Sequence, residues 1–333
     1  MRVFVLLLAS CLVVAANEVP TIPGDNSHYV EGKSRYIWMT DDEGVHHLVD
    51  LHQPVDMDSL NARNGHYNQY WLFTRQNPHH RQVLYNGNAN SVRNSNYRGN
   101  RPTKIIVHGW RNDGNSHMNI IIRDAFLAVM DCNVIVVDWG RIAGNLNYPQ
   151  VAAGVPDVGN HVGRFIQFVF NTAGGNWDQL HLVGFSLGAH VVGNAGRLIG
   201  GRARRVTGLD PAGPSWHGNG LALNRYSGRF VEAIHTDGHI LGLMDPIGHA
   251  DFYPNGGKNP QPGCVLSDCS HSRANDFFAA TVHHGHLVGR QCPNVWEAEL
   301  SNCHGNALHM GNAYLGKHGH GLYGLRTGAN WPF

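Results

Sequence analysis

Between residues 70 and 234 the chain alternates short apolar runs of strand length with longer stretches whose apolar residues recur every three or four positions. Residues 70–74, 104–107, 134–138, 180–183, 205–209 and 230–234 read as strands. Residues 120–130 read as a helix, and Pro156 and Asp157 open another whose apolar face is Val158, Val162, Phe165, Ile166 and Val169. A third helical spacing, Ala189, Val191, Val192, Ala195 and Leu198, follows the strand at 180–183. The Asn/Gly/Arg stretch 86–101 reads as a loop. This order predicts an α/β fold: a doubly wound, mostly parallel central sheet with helices on both faces and ligands at the carboxyl ends of the strands. Ser186, Asp210 and Trp110 all fall at that edge.

The junction after residue 183 narrows the picture most. Gly184-Phe185-Ser186-Leu187-Gly188 places a serine between two glycines, directly between a strand and a helix. A hydroxyl attacks an ester only if it stands clear of the backbone, and a strained strand-to-helix turn lifts it there. The flanking glycines let strand and helix approach without a Cβ clash. With Gly at 41 of 333 residues, a serine inside a glycine-rich turn also arises by chance, so the strand and helix on either side carry the reading.

Such a serine needs a base and an acid to orient the base, and around this turn the chain order is serine, acid, histidine. Asp210 ends the strand after the elbow helix, followed by Pro211. Asp237 ends the next strand, in Ile234-His235-Thr236-Asp237-Gly238, and spacing leaves both open. Spacing alone does not choose among 24 histidines. His271 stands out because it lies two residues past Cys269, where a disulfide would hold a catalytic loop.

Composition bounds the rest. Residues 1–16 carry Arg2, an apolar core at 3–14 and a small-residue exit, which reads as a secretory signal peptide. Residues 17–45 are polar, with Pro20 and Pro23, and read as an N-terminal extension or pro-segment. Residues 46–333 then form a single domain, and the protein is expected outside the cell as a monomer. Beyond Cys11, the close pairs Cys264 with Cys269 and Cys292 with Cys303 suit disulfides, and Cys132 reads as a buried free thiol. A net charge of +1 argues against nucleic-acid binding. Only four of the 25 basic residues are lysines, a choice that suits an alkaline fluid such as a gut lumen or reflects compositional drift. His283, His284 and His286 lack a zinc spacing, and Gly319-x-Gly321-x-x-Gly324 has no room for the helix a dinucleotide site needs, so no metal or cofactor is expected.

Four ordered motifs resemble one family. Gly184-Phe185-Ser186-Leu187-Gly188-Ala189-His190, Gly208-Leu209-Asp210-Pro211-Ala212-Gly213-Pro214, Asp251-Phe252-Tyr253-Pro254-Asn255-Gly256-Gly257 and Cys269-Ser270-His271-Ser272-Arg273 are similar to the pancreatic lipase family, most of all its insect neutral lipases and A1-type phospholipases. The resemblance covers about residues 70–330. It implies an α/β-hydrolase fold with Ser186 as nucleophile, Asp210 as acid and His271 as base, which turns Asp237 into a structural residue. It also implies oxyanion donors at the backbone N–H groups of Trp110 and Leu187.

Departures from the family bear on substrate. Only four residues separate Cys264 from Cys269, where pancreatic lipases carry a long lid. Within the family a shortened lid implies phospholipase A1 or galactolipase activity besides glyceride hydrolysis, at a membrane, micelle or droplet surface. Ile240, Leu241, Leu243 and Met244, with Val265 and Leu266, are candidates for a lipid-contact rim or for packing on the sheet. Asn224 and Ser227 stand where relatives place calcium-binding acids, so no calcium site is expected. The chain ends at Phe333, where larger relatives continue into a β-sandwich, and no colipase-like partner is expected. Some insect relatives are yolk proteins that have lost the serine, so a catalytically silent lipid-binding or storage protein is the alternative.

Overall fold

The structure, a computed structural model, describes residues 19–62 and 64–333. The expected signal segment, residues 1–16, lies outside the described residues. The strands are β1 (Tyr36–Thr40), β2 (His46–Asp50), β3 (Gln69–Phe73), β4 (Gln82–Leu84), β5 (Thr103–Val107), β6 (Asn133–Asp138), β7 (Leu180–Phe185), β8 (Arg205–Leu209), β9 (Val231–Ile234), β10 (Ala250–Pro254), β11 (Val288–Cys292), β12 (Ala307–His309) and β13 (Gly321–Leu325). β1 and β2 form a hairpin, and the rest form an 11-stranded sheet in the order β12-β11-β13-β10-β9-β8-β7-β5-β6-β3-β4. The run from β13 to β6 is parallel, and antiparallel strands finish both edges.

Alternation along the strands feeds two cores. Ile105 and Val107 face one layer and Ile106 the other. The first layer packs the helices Tyr148–Ala173 and Leu187–Leu198 through Val151, Val155, Val158, Val162, Val191 and Val192. The second packs His117–Val129 and Ser267–His284 through Ile122, Phe126, Phe277 and Phe278. With both faces covered, β5, β7 and β8 are buried along their whole length, polar Lys104, His181 and Arg205 included. This is the α/β-hydrolase architecture. No described helix is long and apolar enough to cross a membrane.

Three expectations change. The helix expected to open at Pro156 starts eight residues earlier, capped by Asn147, whose side chain accepts from Gln150 N. Val151 and Val155 extend the apolar stripe upstream, and their packing outweighs the one hydrogen bond that an interior proline removes. The stretch 86–101 holds a short helix, Ala89–Arg93, capped by Asn88 and anchored by buried Val92. Within 17–45, expected as an extension outside the domain, β1 places Ile37 and Met39 in the core. Both expected disulfides are present, and Cys132 is free and buried.

Candidate active site

The elbow forms because nothing but glycine fits on either side of Ser186. A Cβ at Gly184 would run into the carbonyl of Gly188, and one at Gly188 into the carbonyls of Val107 and His108. Ser186 itself has φ 55°, ψ −123°, a left-handed conformation that costs a non-glycine residue roughly 1–3 kcal/mol and recurs where chemistry needs it. Its N–H is held by Leu209 O at 3.0 Å.

Asp210 follows β8 and is fully buried. Its Oδ2 lies 2.6 Å from His271 Nδ1, while Oδ1 accepts from the N–H groups of Thr236 at 2.6 Å and Asp237 at 3.1 Å. The imidazole rests against Phe185, ring centroids 4.7 Å apart. No Ser186–His271 hydrogen bond accompanies this pair among the described residues; in resting sites that bond often tightens only with substrate. Both residues line the same cavity of about 350 Å³. His271 sits in the second turn of Ser267–His284 rather than on a disulfide-held loop as expected, so helix geometry sets its direction and the Cys264–Cys269 bridge braces the helix start.

Above the serine, Leu187 is the first residue of its helix, and its N–H belongs to the donors that a helix start leaves free. The Trp110 N–H is not taken up by any described backbone carbonyl. Gly109 lets that segment approach, since a Cβ there would stand 3.0 Å from Ser186 Cβ. The segment is braced by residues the sequence did not single out. Trp139 Nε1 donates to His108 O at 2.9 Å, and Trp110 Nε1 to Asn145 O at 2.8 Å.

Asp237 lies beside this pair without joining it. Its Oδ2 accepts from Leu241 N at 3.0 Å and from the Ser267 hydroxyl, and Oδ1 has no partner among the described residues. Burial, then the neighbouring Asp210 charge, pushes its pKa well above the usual carboxylate range. Asp210, Asp237 and His271 are also the one group of acids and histidines, among the described residues, close enough to share an ion.

The candidate rim divides. Leu243 and Met244 are core residues, Met244 packing on Tyr253, and the lipid-contact reading does not hold for them. The reason is the backbone beneath them: Leu243 N bonds Pro211 O, Gly213 N bonds Leu241 O, and Gly242 sits so tightly under the acid that a Cβ would stand 2.6 Å from both Asp210 oxygens. Leu241 is buried but forms part of the cavity wall, and Ile240 is half-buried against the core. Leu266 is half-buried, and Val265 is 86% exposed.

The sheet order and elbow define an α/β-hydrolase fold in which Ser186 and His271 line one cavity and Asp210 lies buried behind the histidine. The lipase family matches residues 39–324, and the chain belongs to that family, within its pancreatic lipase branch. Over 249 residues it is 36% identical to lipase member H-B of Xenopus laevis, covering 71% of this chain and 53% of the relative. It is 32% identical to pancreatic lipase-related protein 2 of Bos taurus over 70% of this chain and 55% of that one. It is 36% identical to pancreatic triacylglycerol lipase of Mus musculus over 64% and 51%. The chain thus spans about half the length of the curated relatives it matches. Among solved structures, an acetyl xylan esterase from Aspergillus awamori aligns at TM-score 0.33 and 9% identity, over 54% of this chain and 72% of that one.

Proposed function

We propose that this protein is an extracellular hydrolase of lipid carboxylic esters, of the triacylglycerol lipase or phospholipase A1 type. The observation that carries the reading is the 2.6 Å contact between His271 Nδ1 and Asp210 Oδ2 at the cavity that also holds the elbow serine. Asp210 fixes the imidazole with Nδ1 protonated, which leaves Nε2 as a base. His271 takes the proton from Ser186 as Oγ attacks the ester carbonyl and returns it to the departing alcohol. Water then attacks the acyl-enzyme by the same route. The Trp110 and Leu187 N–H groups receive the oxyanion, each donor worth about 3–4 kcal/mol in such sites.

Two features support activity on polar lipids as well as glycerides. The four residues between Cys264 and Cys269 are too few to roof the cavity, and part of the cavity wall is polar. The two disulfides suit an oxidising compartment.

The test is labelling by a fluorophosphonate together with turnover of p-nitrophenyl butyrate. Wild type reacts with both and Ser186→Ala with neither. A wild-type protein that folds but stays unlabelled would be a silent lipid-binding or storage protein instead.

A further inference from the structure

The β1–β2 hairpin stands outside the main sheet, yet it reaches the cavity. Ile37, Met39 and Val49 anchor it in the core. Met39, Thr40 and the turn residues Asp41, Asp42 and Gly44 line the same cavity as Trp110, Ser186 and His271. A segment that reads in the sequence as an extension therefore supplies part of the site wall.

Asp41 organises that turn. Its Oδ1 accepts from the N–H groups of Val45 at 2.8 Å and Glu43 at 3.2 Å, which closes the turn on itself. Its Oδ2 meets His47 Nε2 at 2.7 Å and the Arg111 guanidinium at 3.4 Å. Burial works to raise the Asp41 pKa, but His47, the Val45 N–H and Arg111 outweigh it and hold the carboxyl below its ordinary value. Arg111 directly follows Trp110 and has φ 55°, a conformation that persists in a non-glycine residue only where its surroundings hold it. Its N–H bonds Ala143 O at 2.9 Å and its guanidinium bonds Gly144 O at 2.8 Å. Asp41 is the one acid paired with it among the described residues. Two further contacts join the same partners. Asn112 Nδ2 donates to Asp42 Oδ1 at 3.2 Å, and the His47 ring meets Trp110 edge-on, centroids 5.9 Å apart.

We propose that Asp41 is a positioning residue for ester hydrolysis: through Arg111 it ties the hairpin to segment 110–112 and holds the Trp110 N–H where the oxyanion forms. This rests on the hydrolase reading above. Asp41 touches no reacting atom and acts through the chain of its partner. Without it, Arg111 keeps only its bonds to residues 143 and 144, and its left-handed backbone relaxes and turns the adjoining peptides. A displaced donor slows acylation and deacylation alike, because both pass through a tetrahedral oxyanion. Binding of the intact ester is left to the rest of the cavity.

The experiment measures kcat for p-nitrophenyl butyrate per active site, with sites counted by fluorophosphonate titration, so that any misfolded fraction drops out. Asp41→Asn lowers kcat about tenfold, less than the roughly 10²–10³ lost with a whole donor, and leaves KM within about twofold. Arg111→Gln does the same, and the double variant loses no more than either single one, because both break one link. Asp50→Asn is the structural control. Asp50 ends the same hairpin, pairs with Arg35 at 2.9 and 2.7 Å and does not line this cavity, so its loss leaves kcat per site unchanged. Wild-type kcat in Asp41→Asn, an equal loss in Asp50→Asn, or losses that multiply in the double variant overturn the positioning role while the hydrolase reading stands. Wild type that neither labels nor turns over the ester overturns the hydrolase reading, and this role with it.

Discussion

The backbone N–H of Asp237 donates to Asp210 Oδ1 at 3.1 Å, so the residue that competes with Asp210 in the sequence serves it through its main chain. Its own carboxyl points to Ser267 and Leu241 N. One acid accepts from peptide N–H groups and faces the imidazole; the other is buried beside it, where burial and the Asp210 charge push its pKa well above the usual carboxylate range.

This asymmetry predicts opposite outcomes for the same chemical change. Asp210→Asn leaves the fold intact but removes the group that sets the imidazole tautomer, and kcat should fall by about 10³–10⁴. Asp237→Asn replaces a neutral acid with a neutral amide of the same shape, and kcat should stay within about tenfold of wild type, less than the 1.4 kcal/mol such a ratio represents. Steady-state kinetics on a soluble ester read both. Equal losses would mean that the two carboxyls share the work.

The same residue makes a prediction about stability. The folded protein keeps a proton on Asp237 that the unfolded chain gives up near pH 4, so folded-state proton uptake exceeds that of the unfolded state above this point. The contribution is fully present below the unfolded pKa and is lost as pH rises through the raised folded pKa. Thermal melts of wild type and Asp237→Asn across this range should diverge, with the variant gaining relative stability at the alkaline end. Parallel curves would show that Asp237 is already ionised.

Much of this site was legible because its residues sit at punctuation in the chain. Ser186 lies between glycines whose missing Cβ atoms the packing demands, and Asp210 directly follows a strand and precedes a proline. The choice between Asp210 and Asp237 was not legible from spacing, since both end strands at the same edge. What separates them is which oxygen meets His271 Nδ1, a contact across 61 residues of sequence. The apolar run 240–244 misled because Gly242, pressed under Asp210, carries its neighbours inward.

Lys104, at the centre of the sheet on β5, gives a pH signature of the opposite sign. It is fully buried, its Nζ has no hydrogen-bond partner among the described residues, and it lies 5.0 Å from the Phe126 ring centre. Burial, opposed by nearby Cys132 and aided by Arg205, brings its pKa down to about 7. Between about pH 7 and pH 10.5 the unfolded chain holds a proton that the folded one has lost, so this lysine makes stability rise with pH. Lys104→Met should add a few kcal/mol at pH 7 and flatten the rise, as read from urea midpoints at neutral and alkaline pH. A variant whose pH profile parallels wild type would place the charge elsewhere. A lysine that is easier to keep neutral in alkali fits the arginine-rich remainder of the chain.

The short span between Cys264 and Cys269 bears on how the proposed hydrolase would meet lipid. Lids that close over a cavity tie activity to a surface, because the surface supplies the energy that opens them. Here the bridge encloses four residues and leads straight into the helix that carries His271, so this span is too short to swing. Activity on a short-chain glyceride should therefore change by less than about tenfold as its concentration crosses the solubility limit, a barrier difference under 1.4 kcal/mol. Val265, the most exposed apolar side chain of that span, offers a small contact with the lipid, and Val265→Ser should weaken vesicle binding more than turnover of soluble esters. A steep jump at the solubility limit, with Val265→Ser unchanged on both substrates, would mean that some other segment covers the site.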